Sequence, residues 1–269
     1  MIYDFQKASL LKRFSAFLLD AICVIILATF FAWILSVVVN YNGWAQRYET
    51  LKTAWDQKYG IDSLTKEEYD ALTDEEKNEY DKKNEQARQE ADRALQEAYK
   101  AKDPEAVETV KVISVVYNLM LLIVSIGTFL SFIVVEFVVP LCLKNGQTLG
   151  KKIFAVAVMR NNSVRVNGII LFIRNILGKY TIETMIPLYI AIKIFITGNG
   201  GILDLVLLAA LVISQIAIFF ATKTFSFLHD LLAGTVSVDI STQMIFESEE
   251  AKVAYIEEKH AEEVKNDTY

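Results

Sequence analysis

One stretch constrains this chain more than any other: an apolar run from Leu10 to Val39 that carries two opposite charges, Arg13 and Asp20. A bilayer crossing takes about 20 apolar residues, so the run is long enough to span. A charge inside such a segment costs roughly 2.5–3.5 kcal/mol on insertion scales. Neither side chain can therefore be left facing lipid. Their spacing is close to two helical turns, which puts both on one helix face, about 10 Å apart along the axis. That face must look at protein or water. Direct contact over this distance needs both side chains to reach, so a third partner is expected. Two readings follow. Either Asp20 is a protonatable or cation-binding carboxylate tuned by Arg13, or the pair neutralises itself and pins helix packing.

Several long apolar runs in 269 residues that are 53% hydrophobic indicate a polytopic membrane protein. The net charge of −6 hides an asymmetry, because Tyr41 to Lys111 holds 18 acidic and 12 basic residues. Glu247 to Tyr269 is also acidic, whereas the short segments between apolar runs are basic. No basic stripe suited to nucleic acid is present. Cys23 and Cys142 both lie in apolar segments, and their spacing suits neither a disulfide framework nor a metal site. The first run is too long and too charged for a signal peptide, and no small-residue cleavage site follows it, so it reads as a retained helix.

Taken in order, residues 1–40 are a short polar start and the first transmembrane helix, closed by the interface aromatics Tyr41 and Trp44. Residues 41–111 form a hydrophilic insert rich in Ala, Glu, Lys, Gln and Leu, which reads as helix. Thr65 with Glu68 and Thr73 with Glu76 fit capping boxes, and Pro104 suits a helical first turn. The apolar stripe is too sparse for a coiled coil, so a solvated helical hairpin or cap is expected. Residues 112–143 are the second span, with Glu136 inside it and Pro140 near its end. A small β element is expected over 153–166, a hairpin turning at Asn161-Asn162-Ser163, with 235–240 as an added strand. Residues 168–180 suit an interfacial helix whose polar edge begins at Arg174, followed by a span over 181–196. One long tilted helix is the alternative. Thr197 to Gly201 reads as a tight turn, 202–222 as the last span, and 241–269 as an acidic cytoplasmic tail.

Orientation follows from Lys and Arg in the short loops. Lys7, Lys12 and Arg13 share one side with the Lys144–Arg165 loop and with Lys223 if the chain crosses four times. The expected fold is thus an all-α membrane protein in a bacterial cell membrane. It has four transmembrane helices, a small cytoplasmic β element, an extracytoplasmic helical insert and both termini in the cytoplasm.

Three blocks resemble the RDD family of bacterial membrane proteins, named for an arginine and two aspartates. Arg13-Phe-Ser-Ala-Phe-Leu-Leu-Asp20 is similar to its opening block. Asn145-Gly-Gln-Thr-Leu-Gly150-Lys-Lys152 is similar to its glycine-rich loop. His229-Asp230-Leu-Leu-Ala-Gly-Thr-Val236 is similar to its closing block. Arg174-Asn175 resembles a further arginine found after the loop. The similarity covers roughly 5–40 and 112–240, and leaves out the insert and the tail. The resemblance implies a polytopic protein with a transport role, including cation/proton exchange.

Several residues carry candidate chemistry. Glu136 lies about 12 Å inside the cytoplasmic edge, at a depth similar to Asp20. If the two carboxylates converge, one proton or monovalent cation can be shared between them. The structural alternative pairs Glu136 with Arg174 or Lys179. Asp230, Arg174 and His229 are expected as a charge network at the cytoplasmic face, with His229 able to titrate near neutrality. Lys151 and Lys152 are expected to meet anionic lipid headgroups. The Gly146–Lys152 loop lacks the spacing of a phosphate-binding loop. Asp204 suits a helix cap. The insert offers no His, Cys or nucleophile set, so neither catalysis nor a metal or cofactor is expected. Expected partners are the bilayer, a monovalent cation or proton, and further copies of a chain too thin to transport alone. The competing reading is a non-transporting scaffold or sensor whose insert binds a partner.

Overall fold

The computed structural model describes residues 6–61, 64–143, 145–197 and 200–266. Lys144 and two residues of the expected 197–201 turn, Gly198 and Asn199, lie outside them. The chain is mostly helical with a small two-stranded sheet. Among the described residues, three helices are long and apolar enough to cross a membrane: Leu10–Val38, Pro104–Leu143 and Ile202–Ala221. It divides into two compact units, residues 1–29 with 128–269, and residues 30–127.

The second unit contains the insert. Helix α1 (Leu10–Val38) ends before Asn40, which takes a left-handed conformation and lets α2 (Tyr41–Tyr59) begin. Helices α3 (Lys66–Asp70) and α4 (Asp74–Lys100) start at Thr65 and Thr73. Each threonine hydroxyl accepts from a backbone N–H of Glu68 or Glu76, and each glutamate answers back, as their spacing predicts. Asp103 Oδ1 accepts from the N–H groups of Glu105 and Ala106, at 3.0 and 3.1 Å, so α5 opens at Pro104.

Helix α5 (Pro104–Leu143) runs without a break for 40 residues. Its stretch Ile133–Val138 is π-wound: the Val139 N–H reaches back five residues to Val134 O. Pro140 supplies the reason. Proline cannot donate to the carbonyl four residues before it, and its ring crowds that carbonyl. That carbonyl belongs to Glu136, and the Asn175 side-chain amide donates to it instead.

The glycine-rich loop leads through Thr148 into α6 (Leu149–Ile153) and then β1 (Val156–Arg160). β1 pairs antiparallel with β2 (Thr235–Asp239), in register from Val156 opposite Asp239 to Arg160 opposite Thr235. The hairpin partner expected at 164–166 is reduced to one bridge, Met159 with Arg165. Sequence separation misleads here. Val156 to Met159 are fully buried, and Val236 and Val238 of β2 supply the apolar cover that a polar turn cannot.

Helix α7 (residues 168–197) is continuous, so the expected division at 180 does not occur. Its middle, Phe172–Met185, is also π-wound, with Thr181 and Thr184 hydroxyls bonding carbonyls five residues back. Arg174, expected on an interfacial polar edge, is 2% exposed. A carboxylate waiting inside the fold draws it inward. Helix α8 (Ile202–Ala221) begins with the Asp204 side chain accepting from the Gly201 N–H at 3.0 Å and from Lys193 at 2.7 Å. Helix α9 (Leu228–Ala233) ends at Gly234, whose φ of 61° turns the chain into β2. The tail forms α10 (Glu249–Asn266).

Two glycines set close approaches. A Cβ at Gly150 would sit 2.3 Å from the Ala16 carbonyl oxygen of α1, and one at Gly178 would sit 2.7 Å from His229 Cβ. At Gly168 the nearest atom would be an ordinary 3.5 Å away. Gly150→Ala should therefore destabilise by about 1–3 kcal/mol or more, the cost of an extra methyl in a packed site. Gly168→Ala should be nearly neutral. Thermal unfolding of both variants in one detergent checks the contrast.

Candidate functional site

The site is built from residues of the first unit alone. Asp20 on α1 is 2% exposed and spends both carboxylate oxygens on α6. Oδ2 accepts from the Thr148 hydroxyl at 2.5 Å, and Oδ1 accepts from the Gly150 N–H at 2.8 Å. Thr148 in turn caps α6 by accepting from the Lys151 N–H at 3.3 Å. A buried carboxylate on one helix thus satisfies the open N–H end of another. Hydrogen bonds to charged groups contribute about 1.5–3 kcal/mol each, and an orphaned carboxylate would cost more.

Arg13 does not pair with Asp20. Its Nη1 donates to the carbonyls of Phe225 and Thr224 at 2.8 and 3.4 Å, and its Nη2 lies 3.8 Å from Asp230 Oδ2. The guanidinium also lies over the Phe227 ring. The two charges of α1 thus have separate partners, one near the α6 turn and one near α9.

Asp230, Arg174 and His229 do meet. Arg174 donates from Nε and Nη2 to Asp230 Oδ1, at 2.9 and 2.8 Å, and from Nη1 to Asn175 Oδ1 at 3.1 Å. Thr235 at the start of β2 donates to the same Asp230 oxygen at 3.1 Å. Burial alone would raise the Asp230 carboxyl. The Arg174 guanidinium overturns that and, with Arg13, holds it well below the usual carboxylate range. Arg174 Nη2 lies 3.3 Å from His229 Nε2. A guanidinium only donates, so Nε2 accepts and the ring proton sits on Nδ1. Nδ1 faces Glu183 Oε2 at 2.8 Å, and the His229 N–H donates to Glu183 Oε1 at 3.0 Å. Arg174, Glu183 and Gly178 all lie on the π-wound part of α7, whose wider turn lets all three address α9.

Glu136 sits on the other π-wound stretch, at 1% exposure. Lys179 of α7 donates to its Oε1. Lys151 Nζ lies 3.7 Å from its Oε2, which has no hydrogen-bond partner among the described residues. Asp20 is bonded to Thr148 and Gly150 and Glu136 to Lys179; both carboxylates act on α6, Asp20 at its N-terminus and Glu136 at Lys151. Lys151, expected at lipid headgroups, turns inward instead, toward the Glu136 oxygen that Lys179 leaves open. Lys152 stays exposed. Burial pushes the Lys151 ammonium down to about 8, against the opposing pull of Glu136.

These groups surround one cavity of about 660 Å³. Its polar floor includes Asp20, Lys151, Arg174, Lys179, Glu183 and His229. No group of His, Cys, Asp and Glu suited to a metal ion occurs among the described residues. Lys179, Glu183 and Gln215 carry more of the site than the sequence reading allowed them. Lys179 and Glu183 are opposite charges one helical turn apart inside an apolar run, the same signal that singled out Arg13 and Asp20.

Asp230 and Arg174 allow a direct energetic check. Removing one partner of a buried ion pair costs about 3–5 kcal/mol, because the other charge is left uncompensated. Asp230→Ala and Arg174→Met should each lower stability by that amount, measured by thermal unfolding in detergent. The double variant should lose clearly less than the sum of the two.

Among curated proteins and among solved structures nothing matches the chain. The family model of the RDD family matches residues 7–234, which takes in Arg13, Asp20, the glycine-rich loop, Arg174 and Asp230. The buried arginine and the two aspartates that organise this core therefore sit inside the matched region, and the chain belongs to the RDD family of polytopic membrane proteins.

Proposed function

We propose that the protein exchanges a monovalent cation for a proton across a bacterial cell membrane, with Glu136 holding the cation and Lys151 releasing the proton. The observation that carries this reading is the buried Glu136 Oε2, which has no hydrogen-bond partner among the described residues and faces an ammonium 3.7 Å away. The cavity reaches Lys151 and Lys179, the two side chains that cover Glu136. Lys179 already pairs with Oε1, and while Lys151 is charged it occupies the Oε2 side. When its N–H bond gives a proton to water in the cavity, one positive charge leaves the site. A cation that takes its place beside Oε2 restores the balance, so one charge replaces one charge. Asp20, with both oxygens committed to α6, holds the frame.

The topology that suits this role has four crossings, with residues 168–197 supplying the third. Both termini and the basic 144–165 segment then face the cytoplasm, and residues 41–111 lie outside. Four helices make a thin bundle, so the working form is a homo-oligomer. A scaffold reading rests on a different observation: residues 30–127 are a compact unit of their own, as a partner-binding cap would be. Removing 45–108 separates the two, since exchange survives that deletion only if the core is the working part.

The pH dependence has a defined sign. Below pH 8 Lys151 keeps its proton and blocks the cation, and above pH 8 it is neutral and the carboxylate is open. Cation-driven pH change in proteoliposomes should therefore rise as pH passes through about 8. Glu136→Gln should abolish it. Lys151→Arg should stay charged and silent across the range. Wild-type exchange by folded Glu136→Gln protein would end the proposal.

A further inference from the structure

His229 borders the cavity with a carboxylate on each side of its ring. Nδ1 donates to Glu183 Oε2 at 2.8 Å. Nε2, the nitrogen without a proton, lies 3.6 Å from Asp230 Oδ2. That oxygen is buried and has no hydrogen-bond partner among the described residues. The other oxygen of the same carboxylate, Oδ1, takes the bonds from Arg174 and Thr235. A hydrogen bond needs a separation of about 2.7–3.2 Å, so a proton added to Nε2 is less than about 1 Å short of an acceptor.

The same oxygen is contested from α1. Arg13 Nη2 lies 3.8 Å from it, beyond hydrogen-bond reach, while Nη1 is held by the Phe225 carbonyl at 2.8 Å. The Arg13 guanidinium lies over the Phe227 ring, and that ring stacks on His229. The backbone of α9 is fixed at this point by close packing on Gly178, where even a methyl group would strike His229. What can adjust is the imidazole ring on one side of Asp230 and the Arg13 side chain on the other.

The groups that face this cluster come from four helices. Helix α7 supplies Arg174 and Glu183, α1 supplies Arg13, and α9 itself supplies Asp230. Helix α8 supplies the neutral Gln215, whose amide oxygen accepts from the Leu228 N–H at 3.2 Å. Asp20, Lys151 and Lys179 line the same cavity but are engaged elsewhere, Asp20 with Thr148 and Gly150 and both lysines with Glu136. Around the ring, two guanidiniums therefore stand against two carboxylates. One added proton gives the cluster a net positive charge and the ring a second donor, beside an acceptor that has none.

We propose that His229 is a proton-binding site separate from Lys151, in which a proton on Nε2 is held by Asp230 Oδ2 and excludes Arg13 from that oxygen. With the ring neutral, Asp230 is shared by Arg174 and Arg13, which ties α1 to α9. With the ring charged, the imidazolium lies between Glu183 and Asp230, and Arg13 keeps only its backbone carbonyls. Arg174 retains its 2.8 Å bond from Nη2 to Oδ1 and turns the N–H that faced His229 toward the cavity it lines. The proposal does not rest on the exchange reading, because its proton sits on His229 and its acceptor is Asp230.

The test uses the full chain in detergent with its histidine rings labelled with nitrogen-15. The sequence has two histidines, and His260, exposed on α10, serves as the internal reference. Magnetic resonance spectra from about pH 5 to 8 should show the His229 ring neutral with its proton on Nδ1 at the upper end, and protonated on both nitrogens at the lower end. Arg13→Gln removes the competing charge and keeps an amide donor for the Phe225 carbonyl. It should raise the His229 midpoint by about one pH unit or more. Asp230→Asn keeps an acceptor for Arg174 and should lower the midpoint by about as much. A wild-type ring that keeps one protonation state throughout would overturn the proposal, as would a neutral ring with its proton on Nε2. Both results come from the unmutated chain, so they decide even where a variant does not fold. An unchanged midpoint in folded Arg13→Gln or Asp230→Asn protein would overturn it too. Lys151→Arg, which the exchange reading makes silent, should titrate at His229 as wild type does, so the two readings fall separately.

Discussion

A single carboxylate holds the membrane core to its surface loop. Asp20 reaches out of a helix that is otherwise apolar and closes the open end of α6 through Thr148 and Gly150. The rest of the charge network depends on that clasp. It sets α6, and α6 sets Lys151 against Glu136. The chain after α6 becomes β1, whose partner β2 begins at Thr235, and Thr235 donates to Asp230. The cost of burying charge in an apolar span is thus met by backbone and side-chain donors from segments that lie far away in sequence.

The two π-wound stretches belong to the same arrangement. Each occurs where buried charge is densest, Glu136 on one and Arg174, Lys179 and Glu183 on the other. In α5 a proline frees a carbonyl, and Asn175 on the second stretch takes it up. Irregular winding is tolerated here because the freed Glu136 carbonyl finds a partner inside the protein rather than in lipid. Gly178 permits the contact from the α7 side, since any side chain there would strike His229.

Much of this was legible in the sequence. Charges inside apolar runs marked Arg13, Asp20 and Glu136, and the turn chemistry marked the helix starts at Thr65, Thr73 and Pro104. The Arg174–His229–Asp230 grouping was expected too. What the sequence concealed was direction. A lysine in a basic loop reads as a headgroup contact, and only the buried Glu136 turns Lys151 inward. A polar turn after Met159 reads as a hairpin, yet the strand pairs with a segment some 75 residues on, because that segment carries the apolar cover. The continuity of α7 was read only as the alternative, because the polar edge beginning at Arg174 suits an interfacial helix.

The long π-wound part of α7 has a bearing on how such sequences can diverge. A π turn holds one residue more than an α turn, so losing a single residue there would relax it to ordinary winding and rotate everything beyond it. Arg174 and Glu183 would then no longer address the same helix. The length between Arg174 and Glu183 therefore matters to the core alongside the identities of Asn175, Gly178 and Lys179.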